Sequence, residues 1–240
     1  KYEILGTFNI NKLIPSLCQM DITNPPSIHK LFELFKPDIV IQLANYNSPK
    51  NIDEADFLAV NRDGNSNVFN ACDELGAKLI FISSMAAETV QNILGLTKLE
   101  AEKRALNNVC GGLVIRPSAV FGLSPNIASS NLSNNIIRVI MWSKDMVFDS
   151  SWTFQPTYIS HLSQVIDKTI INNSWNKIVR LFTNTEVSKW KIASDTLAGF
   201  GLEAKPFDEK RFIPLLPDNS ENLIDYDLSP TDYYDQINEF

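Results

Sequence analysis

The chain has 240 residues, of which 44% are hydrophobic and 20% are charged, a composition typical of a globular protein with a full hydrophobic core. Its net charge of −7 argues against a nucleic acid or an anionic membrane as a partner. No apolar run approaches the roughly 18 residues that a membrane span needs, and the N-terminal residues lack the layout of a signal peptide.

The first third of the chain alternates predicted strands with predicted helices. Apolar, β-rich runs predict the strands, and apolar residues three and four positions apart predict the helices. In chain order, the predicted elements are the strands Tyr2–Gly6 and Leu17–Met20, the helix Pro26–Phe35, the strand Asp38–Leu43 and the helix Asp53–Leu75. Within the last helix Gly64 is expected to allow close packing, and Gly76 is expected to end it.

The same alternation continues through the middle of the chain. Lys78–Ser83 is an apolar run that predicts a buried central strand, and two serines mark its end. An amphipathic helix is predicted over Leu94–Leu106, and another strand over Leu113–Arg116. Strands and helices that alternate at this interval predict an α/β fold with a doubly wound parallel sheet.

Beyond Gly122 the pattern is less regular. The predicted elements are a loop at Ser124–Asn135, a helix at Ile136–Trp142, an extended segment at Val147–Thr157, a helix at Ser160–Ile171, a strand at Ile178–Phe182 and a helix at Ser188–Gly199. Ser188 is the expected N-cap of the last helix. From Pro206 onward the chain is rich in Pro and Asp and is expected to wrap the surface.

The cysteines and histidines do not predict a metal site. Cys18, Cys72 and Cys110 are odd in number and widely spaced, which favours buried free thiols in two strands and a helix. His29 and His161 have no Cys, His or carboxylate at ligand spacing. Free thiols suit a reducing compartment, so a cytoplasmic protein is expected.

Six short segments form a series along the chain. They are Asp21-Ile22-Thr23, Leu43-Ala44-Asn45-Tyr46, Val60-Asn61 with Gly64, Phe81–Ser84 followed by Gly95-Leu96-Thr97-Lys98-Leu99-Glu100-Ala101-Glu102, Arg116-Pro117-Ser118-Ala119-Val120-Phe121-Gly122, and Phe154-Gln155-Pro156-Thr157-Tyr158. In this order they resemble the extended short-chain dehydrogenases/reductases, most closely the dTDP-4-dehydrorhamnose reductase branch, which also holds the regulatory subunit of methionine adenosyltransferase.

The resemblance implies a Rossmann-like fold with two regions. A nucleotide-binding lobe is expected at residues 1–122 plus about 154–185, and a small substrate-binding cap at 123–153 and 186–240. The implied activity is NAD(P)-dependent reduction of a sugar nucleotide. A homo-oligomer and a partner protein both remain open, whereas nucleic acid and membrane are not expected as partners.

The catalytic residues of the family are a Ser or Thr at the strand end and Y-x-x-x-K on the next helix. Ser84 and Lys98 match the serine and the lysine, whereas Leu94 stands at the position of the tyrosine. In the family the tyrosine gives a proton to the carbonyl, the lysine lowers the pKa of the phenol from about 10, and the serine polarises the carbonyl. Leucine has no proton to give, so impaired or atypical catalysis is expected. Tyr46 is a candidate replacement donor.

By the same resemblance, further residues are expected to contact ligands. The expected cofactor-binding residues are Asp21, Ile22, Leu43, Ala44, Asn45, Asn61, Lys98 and Ser118. The expected substrate-binding residues are Tyr46, Ser84, Val120 and Phe154.

Ordinary structural roles are the alternatives for five of the motif residues. Lys98 fits a solvated lysine on an amphipathic helix, and Ser84 fits a residue that bonds locally at a strand end. Asp21 fits a turn residue. Asn61 fits a residue that bridges backbone segments, and Arg116 fits a structural charge at a strand end.

The chain also departs from the family pattern. The family opens with a strand and a G-x-x-G-x-x-G turn that binds the pyrophosphate of NAD(P). This chain shows no such tract and begins at the second strand of the family, while Lys1, which is not Met, leaves room for an upstream segment. Without the first strand, the sheet is expected to rearrange or to be covered by a partner. The loop between Ser84 and Leu94 is short for the family, and Asn9 and Asn11 favour neither NAD nor NADP.

Three functional hypotheses follow. The first is a member of the sugar-nucleotide reductases that reduces a 4-keto-6-deoxyhexose nucleotide with NAD(P)H, the missing segment lying upstream or coming from a partner. The second is a relative that binds a sugar nucleotide or a remnant of the cofactor without turnover. The third is a regulatory or scaffold subunit that uses the same fold as a docking surface.

Overall fold

A computed structural model of the chain describes residues 1–10, 12, 15–122, 131–210, 226 and 233–239. These residues divide into two compact units. The first comprises Lys1–Arg116 and Ser174–Val179, and the second comprises Pro117–Asn173 and Arg180–Phe240. Asn11, residues 124–130 of the predicted loop and most of the chain after Lys210 lie outside the described residues. The division into a nucleotide-binding lobe and a cap stays a prediction.

The helices largely follow the predicted pattern. Among the described residues they are α1 Pro25–Phe35, α2 Glu54–Leu58, α3 Asn65–Leu75, α4 Ala86–Thr89, α5 Ile93–Leu106, α6 Leu132–Trp142, α7 Ile159–Asn172, α8 Lys189–Ala198 and α9 Tyr233–Glu239. The predicted Asp53–Leu75 helix is interrupted, because a π-helical segment at Ala59–Gly64 joins α2 to α3. The side chain of Asp53 caps α2, and Gly76 ends α3 with φ 77°.

Several of the strands are shorter than the predicted runs, whereas the strand predicted at Leu113–Arg116 is longer. In the described chain they are β1 Thr7–Phe8, β2 Cys18–Gln19, β3 Ile39–Gln42, β4 Lys78–Ile82, β5 Gly112–Pro117, β6 Val120–Phe121, β7 Val147–Asp149, β8 Thr153–Phe154, β9 Thr157–Tyr158, β10 Lys177–Leu181, β11 Val187–Ser188 and β12 Lys205–Phe207. The prediction of a strand at Tyr2–Gly6 is wrong, since the pairing residues are Thr7 and Phe8. The predicted segment Val147–Thr157 contains β7, β8 and the start of β9.

A four-stranded sheet organises the first unit, in the order β10-β5-β4-β3. The central strand β4 pairs in parallel with β3 on one side and with β5 on the other, so that Ile80 lies opposite both Ile41 and Leu113. This confirms the predicted parallel α/β fold. Strands β1 and β2 pair only with each other. Within the described residues, β3 is therefore an edge strand and the sheet has not closed up around the expected gap.

Helices cover the sheet of the first unit and bury its core. Val68 and Phe69 of α3 and Leu79 and Phe81 of β4 are fully buried. A Cβ atom at Gly64 would lie 2.8 Å from the side chain of Ile22. This close approach supports the prediction that Gly64 allows close packing.

The second unit combines short strand pairs with three helices that carry its core. In this unit β7 pairs with β12, β8 with β11, and β6 with β9. Ser188 caps α8 as predicted, since its side chain accepts a hydrogen bond from the Lys191 backbone. Tyr233 of α9 is fully buried, and its hydroxyl donates to Asp195 of α8 at 2.9 Å. This contact fixes the C-terminal helix on α8.

The cysteines are free thiols in different environments. Cys72 is buried in α3, and burial raises the pKa of its thiol to about 12. Cys18 is partly buried in β2. The expectation of a buried thiol in a strand is wrong for Cys110, which is exposed in the turn before β5.

Candidate active site

Lys98 lies on the face of α5 that packs on the end of β4. Its side chain is buried, and Nζ donates a hydrogen bond to the backbone oxygen of Ile82 at 2.9 Å. The ammonium also lies 4.8 Å from the centroid of the Phe81 ring, a favourable cation–π contact. Lys98 is therefore anchored inside the fold, which is not the position of a solvated surface lysine.

Burial makes the Lys98 ammonium unusually easy to deprotonate. Desolvation lowers the pKa of Lys98 from its ordinary 10.5 to about 8, although nearby Glu102 opposes the shift. A charged amine held among apolar atoms loses hydration that one carbonyl and one ring replace only in part. The amine is thus a mixture of charged and neutral forms slightly above neutral pH.

We expect this shift to appear as a pH dependence of stability. A depressed lysine pKa means that the unfolded chain binds more protons than the folded chain between pH 8 and 10.5. The free energy of unfolding of the wild type should therefore rise, relative to that of Lys98→Met, as the pH increases through this window. Urea denaturation of both proteins from pH 7 to 10 measures the difference. A constant difference would contradict the burial of a charged amine.

Leu94 occupies the position one helical turn before Lys98. Asn92 caps α5 by accepting a hydrogen bond from the Gly95 backbone at 3.0 Å. A Cβ atom at position 95 would lie 2.4 Å from the backbone oxygen of Ala86, so glycine lets α5 approach α4 here. Leu94 is half-buried, and its equivalence with the tyrosine of the family stays a prediction.

Ser84 makes a local hydrogen bond at the start of α4. Its Oγ accepts a hydrogen bond from the Ala86 backbone at 3.2 Å, which is the local role left open from the sequence. A hydroxyl that accepts one bond still has its own O–H to donate. The carbonyl-polarising role of Ser84 therefore stays a prediction.

A buried polar cluster beside Lys98 was not identified from the sequence. Glu102 is almost completely buried, and it accepts a hydrogen bond from Ser83 Oγ at 2.5 Å. Arg116 donates to the same carboxylate through Nε at 2.9 Å and through Nη2 at 2.6 Å. Nη1 of Arg116 lies 3.5 Å from Glu88 of α4. The hydrogen bonds that Arg116 donates to Glu102 raise the pKa of Arg116, so the guanidinium stays charged.

Lys98 and Glu102 together fasten α5 to the end of β4. The two residues are four positions apart and share one face of the helix. They bond consecutive residues of the strand end, Lys98 to Ile82 and Glu102 to Ser83. The signal in the sequence was the pair of opposite charges on the buried face of an amphipathic helix. Arg116 has the structural role that was its alternative.

The loop after β3 contacts the π-helical segment. Asn61 accepts a hydrogen bond from the Tyr46 backbone N–H and donates one to the Tyr46 backbone oxygen, both at 2.8 Å. The Tyr46 ring stacks on Phe57 at 6.3 Å. Leu43 and Ala44 are exposed in the same loop. Asn61 thus bridges backbone segments, and the described bonds of Tyr46 lead to Asn61 and Phe57.

Asp21 and Ile22 lie at the turn before α1. One carboxylate oxygen of Asp21 accepts hydrogen bonds from the backbone N–H of Thr23 at 2.9 Å and from its hydroxyl at 2.8 Å. Ile22 is buried against Gly64. The turn interpretation of Asp21 accounts for these bonds, and ligand contact by either residue stays a prediction.

Three of the expected ligand residues lie in the second unit. The Ser118 backbone donates to Thr157 Oγ1 at 2.9 Å. Val120 of β6 is partly exposed, and Phe154 of β8 is buried with its ring 5.0 Å from Trp152. These contacts are internal to the second unit.

The described residues contain neither a metal-binding cluster nor a membrane-spanning helix. No group of three His, Cys, Asp or Glu side chains is arranged to hold a metal ion in the part of the chain that the structure covers. No helix within the described ranges is both long and apolar enough to cross a bilayer. His29 lies 3.6 Å from Glu74 on the surface of the first unit.

Solved structures share this fold. The dTDP-4-dehydrorhamnose reductase from Bacillus anthracis, in complex with NADP, superposes on this chain with a TM-score of 0.77 at 18% identity. The match covers 94% of this chain and 90% of the other. The Bordetella bronchiseptica enzyme WbmG, in complex with NAD, gives a TM-score of 0.73 at 17% identity, covering 94% and 78% of the two chains. A second complex of WbmG contains NAD and UDP. These similarities confirm the Rossmann-like fold.

Two sequence relatives are subunits of methionine adenosyltransferase. The bovine (Bos taurus) methionine adenosyltransferase 2 subunit beta is 23% identical over 207 residues, which cover 78% of this chain and 62% of the relative. The Xenopus laevis subunit is 22% identical over 220 residues, covering 84% and 66%. The chain thus spans less than two thirds of the length of these relatives. The family described as the RmlD substrate binding domain matches residues 3–214, and the chain therefore belongs to that family.

Proposed function

We propose that the chain is a nucleotide-binding relative of the sugar-nucleotide reductases whose own hydride-transfer activity is strongly impaired. The observation that carries this proposal is that Leu94 lies one helical turn before the buried Lys98. Lys98 retains a buried, anchored position, but the residue one turn earlier has no exchangeable proton. A general acid contributes about 10²–10⁴ in rate, so its loss removes turnover before it removes binding.

The similarity to reductases supports NAD(P) and a sugar nucleotide as ligands. Related folds are described in complex with NADP, NAD and UDP. When bound, NAD(P)H supplies a hydride to a carbonyl carbon. The residues proposed to hold the cofactor are Asp21, Ile22, Leu43, Ala44, Asn45, Asn61, Lys98 and Ser118. Those proposed to contact the sugar nucleotide are Tyr46, Ser84, Val120 and Phe154.

One observation in the first unit fits a nucleotide at the loop after β3. The side-chain nitrogen of Asn45 is buried and has no hydrogen-bond partner among the described residues. Ribose hydroxyls and phosphates carry the acceptor oxygens that such a donor needs. The G-x-x-G-x-x-G turn is not present between Lys1 and Phe240, so the fit extends only to the residues named above.

A ligand titration of the full chain tests the proposal. Thermal and urea unfolding are followed with NADPH, with a dTDP-4-keto-6-deoxyhexose, and with both. A ligand at about 100 times its Kd should add about 2.7 kcal/mol to the free energy of unfolding. Stabilisation by either nucleotide supports the proposal. Unchanged unfolding curves at millimolar concentrations of both would overturn it.

A regulatory subunit is the second candidate function. It is favoured by the relatives named as subunit beta of methionine adenosyltransferase 2, because a subunit of that kind needs a fold and not a proton donor. Size-exclusion chromatography with light scattering, applied to the chain mixed with a purified methionine adenosyltransferase catalytic subunit, distinguishes the two candidate functions. A stable complex supports the regulatory role, and separate elution of the two proteins counts against it.

A further inference from the structure

Three carboxamide side chains form a connected chain at the carboxyl end of β3, and a fourth holds the adjacent loop. Gln42 Nε2 donates to Asn65 Oδ1 at 2.6 Å, and Asn65 Nδ2 donates to Asn45 Oδ1 at 3.1 Å. Asn61 holds the loop that carries Asn45 through its two bonds to the Tyr46 backbone. Gln42, Asn61 and Asn65 are almost fully buried. Buried amides with several mutual bonds fix one another in a single orientation.

Backbone carbonyls decide the direction of this chain of bonds, because a carbonyl oxygen can only accept. Gln42 Nε2 donates to the backbone oxygen of Ala44 at 3.2 Å, so its nitrogen faces the loop. Asn65 Nδ2 donates to the backbone oxygen of Asn61 at 2.7 Å. With its nitrogen held there, Asn65 must turn its oxygen to Gln42 and offer its second N–H to Asn45. Asn45 can meet that N–H only with its oxygen.

The consequence is that Asn45 presents its NH2 group away from the network. That nitrogen is shielded from solvent, yet no described residue accepts a bond from it. A buried donor without an acceptor costs about 1–3 kcal/mol. The NH2 group of Asn45 therefore needs an acceptor oxygen, and the described residues do not supply one.

The surrounding loop is held rigidly enough to keep this donor in place. The two bonds to Asn61 fix the Tyr46 backbone beside Asn45, and the Tyr46 ring stacks on Phe57. Asn61 comes from the π-helical segment Ala59–Gly64, a widened turn of a kind that recurs at functional sites. A pre-ordered donor loses little conformational entropy when a ligand binds.

We propose that Asn45 Nδ2 donates a hydrogen bond to an acceptor oxygen of the bound nucleotide, a ribose hydroxyl or a phosphate oxygen. Gln42 and Asn65 are positioning residues that set the orientation of the Asn45 amide and touch no ligand themselves. This inference rests on the proposed function. It means that the loop offers a hydrogen-bond donor, so the site favours ligand groups that accept a hydrogen bond over groups that donate one.

The test replaces the donor by an acceptor of the same shape. In Asn45→Asp we expect the Kd for NADP⁺ to rise at least tenfold, because a carboxylate oxygen of the new side chain then faces the acceptor oxygen of the nucleotide. Asn45→Ala, which removes the donor without adding an acceptor, should weaken binding by about 3- to 10-fold, consistent with one hydrogen bond to the ligand. Asn47→Asp adds the same charge at an exposed position of the same loop and should leave the Kd within twofold of the wild type. Titration calorimetry gives the Kd values, and the thermal midpoints confirm folding.

The positioning role of Gln42 and Asn65 is tested by a measurement that a change in packing alone would not affect. Gln42→Glu replaces the Nε2 donor by a carboxylate oxygen that faces Asn65 Oδ1, so the Asn65 and Asn45 amides are no longer held in one orientation. NADP⁺ should shift the side-chain amide NMR signals of Asn45 in the wild type, and that shift should be lost in Gln42→Glu. If the wild type binds NADP⁺ and Asn45→Asp binds it equally well, the inference is overturned while the proposed function stands. If the wild type binds no nucleotide, the proposed function fails and the inference fails with it.

Discussion

Replacing Leu94 by tyrosine is expected to raise the rate of NADPH oxidation with a dTDP-4-keto-6-deoxyhexose by about 10²–10⁴ over the wild type, the usual contribution of a general acid. The phenol would stand one turn before Lys98, whose amine is already buried and anchored to Ile82. The ammonium stabilises a nearby phenolate and so lowers the pKa of the phenol toward neutrality. Steady-state absorbance of the nicotinamide measures the gain.

Two companion variants show whether the hydroxyl is responsible for the gain. Leu94→Phe adds the ring without the proton and should stay at the rate of the wild type. Leu94→Tyr combined with Lys98→Met should lose most of the gain. Because the pKa of Lys98 is about 8, the gain should fall as the pH rises above 8 and the amine loses its charge. An equal rate for the Phe and Tyr variants would contradict the account.

Glu102→Gln is expected to destabilise the fold by about 3–5 kcal/mol, the usual cost of leaving one member of a buried ion pair alone. Glu102 is almost fully buried and takes hydrogen bonds from both Ser83 and Arg116. Without the charge of Glu102, the Arg116 guanidinium keeps the longer ion pair of 3.5 Å to Glu88. Urea unfolding at pH 7 measures the loss.

The matched control for this variant is on the same helix. Glu100 is exposed on α5, and Glu100→Gln should change the free energy of unfolding by less than about 0.5 kcal/mol, as surface substitutions do. The double variant Glu102→Leu with Arg116→Leu should recover much of the stability lost in Glu102→Gln, because it removes both buried charges. A loss in Glu102→Gln no larger than that in Glu100→Gln would show that the buried pair contributes little.

The sequence was most informative where local physical chemistry decides the structure. The helices α1 and α5 follow the spacing of apolar residues, and Ser188 and Gly76 mark helix ends through their backbone preferences. The alternation of strands and helices correctly predicted the parallel α/β fold. The run Tyr2–Gly6 was misassigned, because apolar composition predicts a strand but does not say where its partner pairs.

The candidate site was predicted only in part, because its decisive contacts join residues far apart in the chain. Two adjacent serines end β4, and nothing in their sequence tells that Ser83 meets Glu102 while Ser84 bonds locally. The pairing of Glu102 with Arg116 depends on how α5 lies on the sheet. The amide chain from Gln42 to Asn45 likewise requires α3 to lie beside the end of β3.

The central claim is that the chain binds a nucleotide in a reductase fold but lacks its own proton donor. Its most direct test is a single-turnover measurement on the wild-type protein mixed with NADPH and a dTDP-4-keto-6-deoxyhexose, which follows nicotinamide fluorescence and absorbance together. The account predicts a saturable fluorescence change from binding and no loss of nicotinamide absorbance over the following minutes. Rapid loss of that absorbance, at the speed of a working reductase, would contradict it.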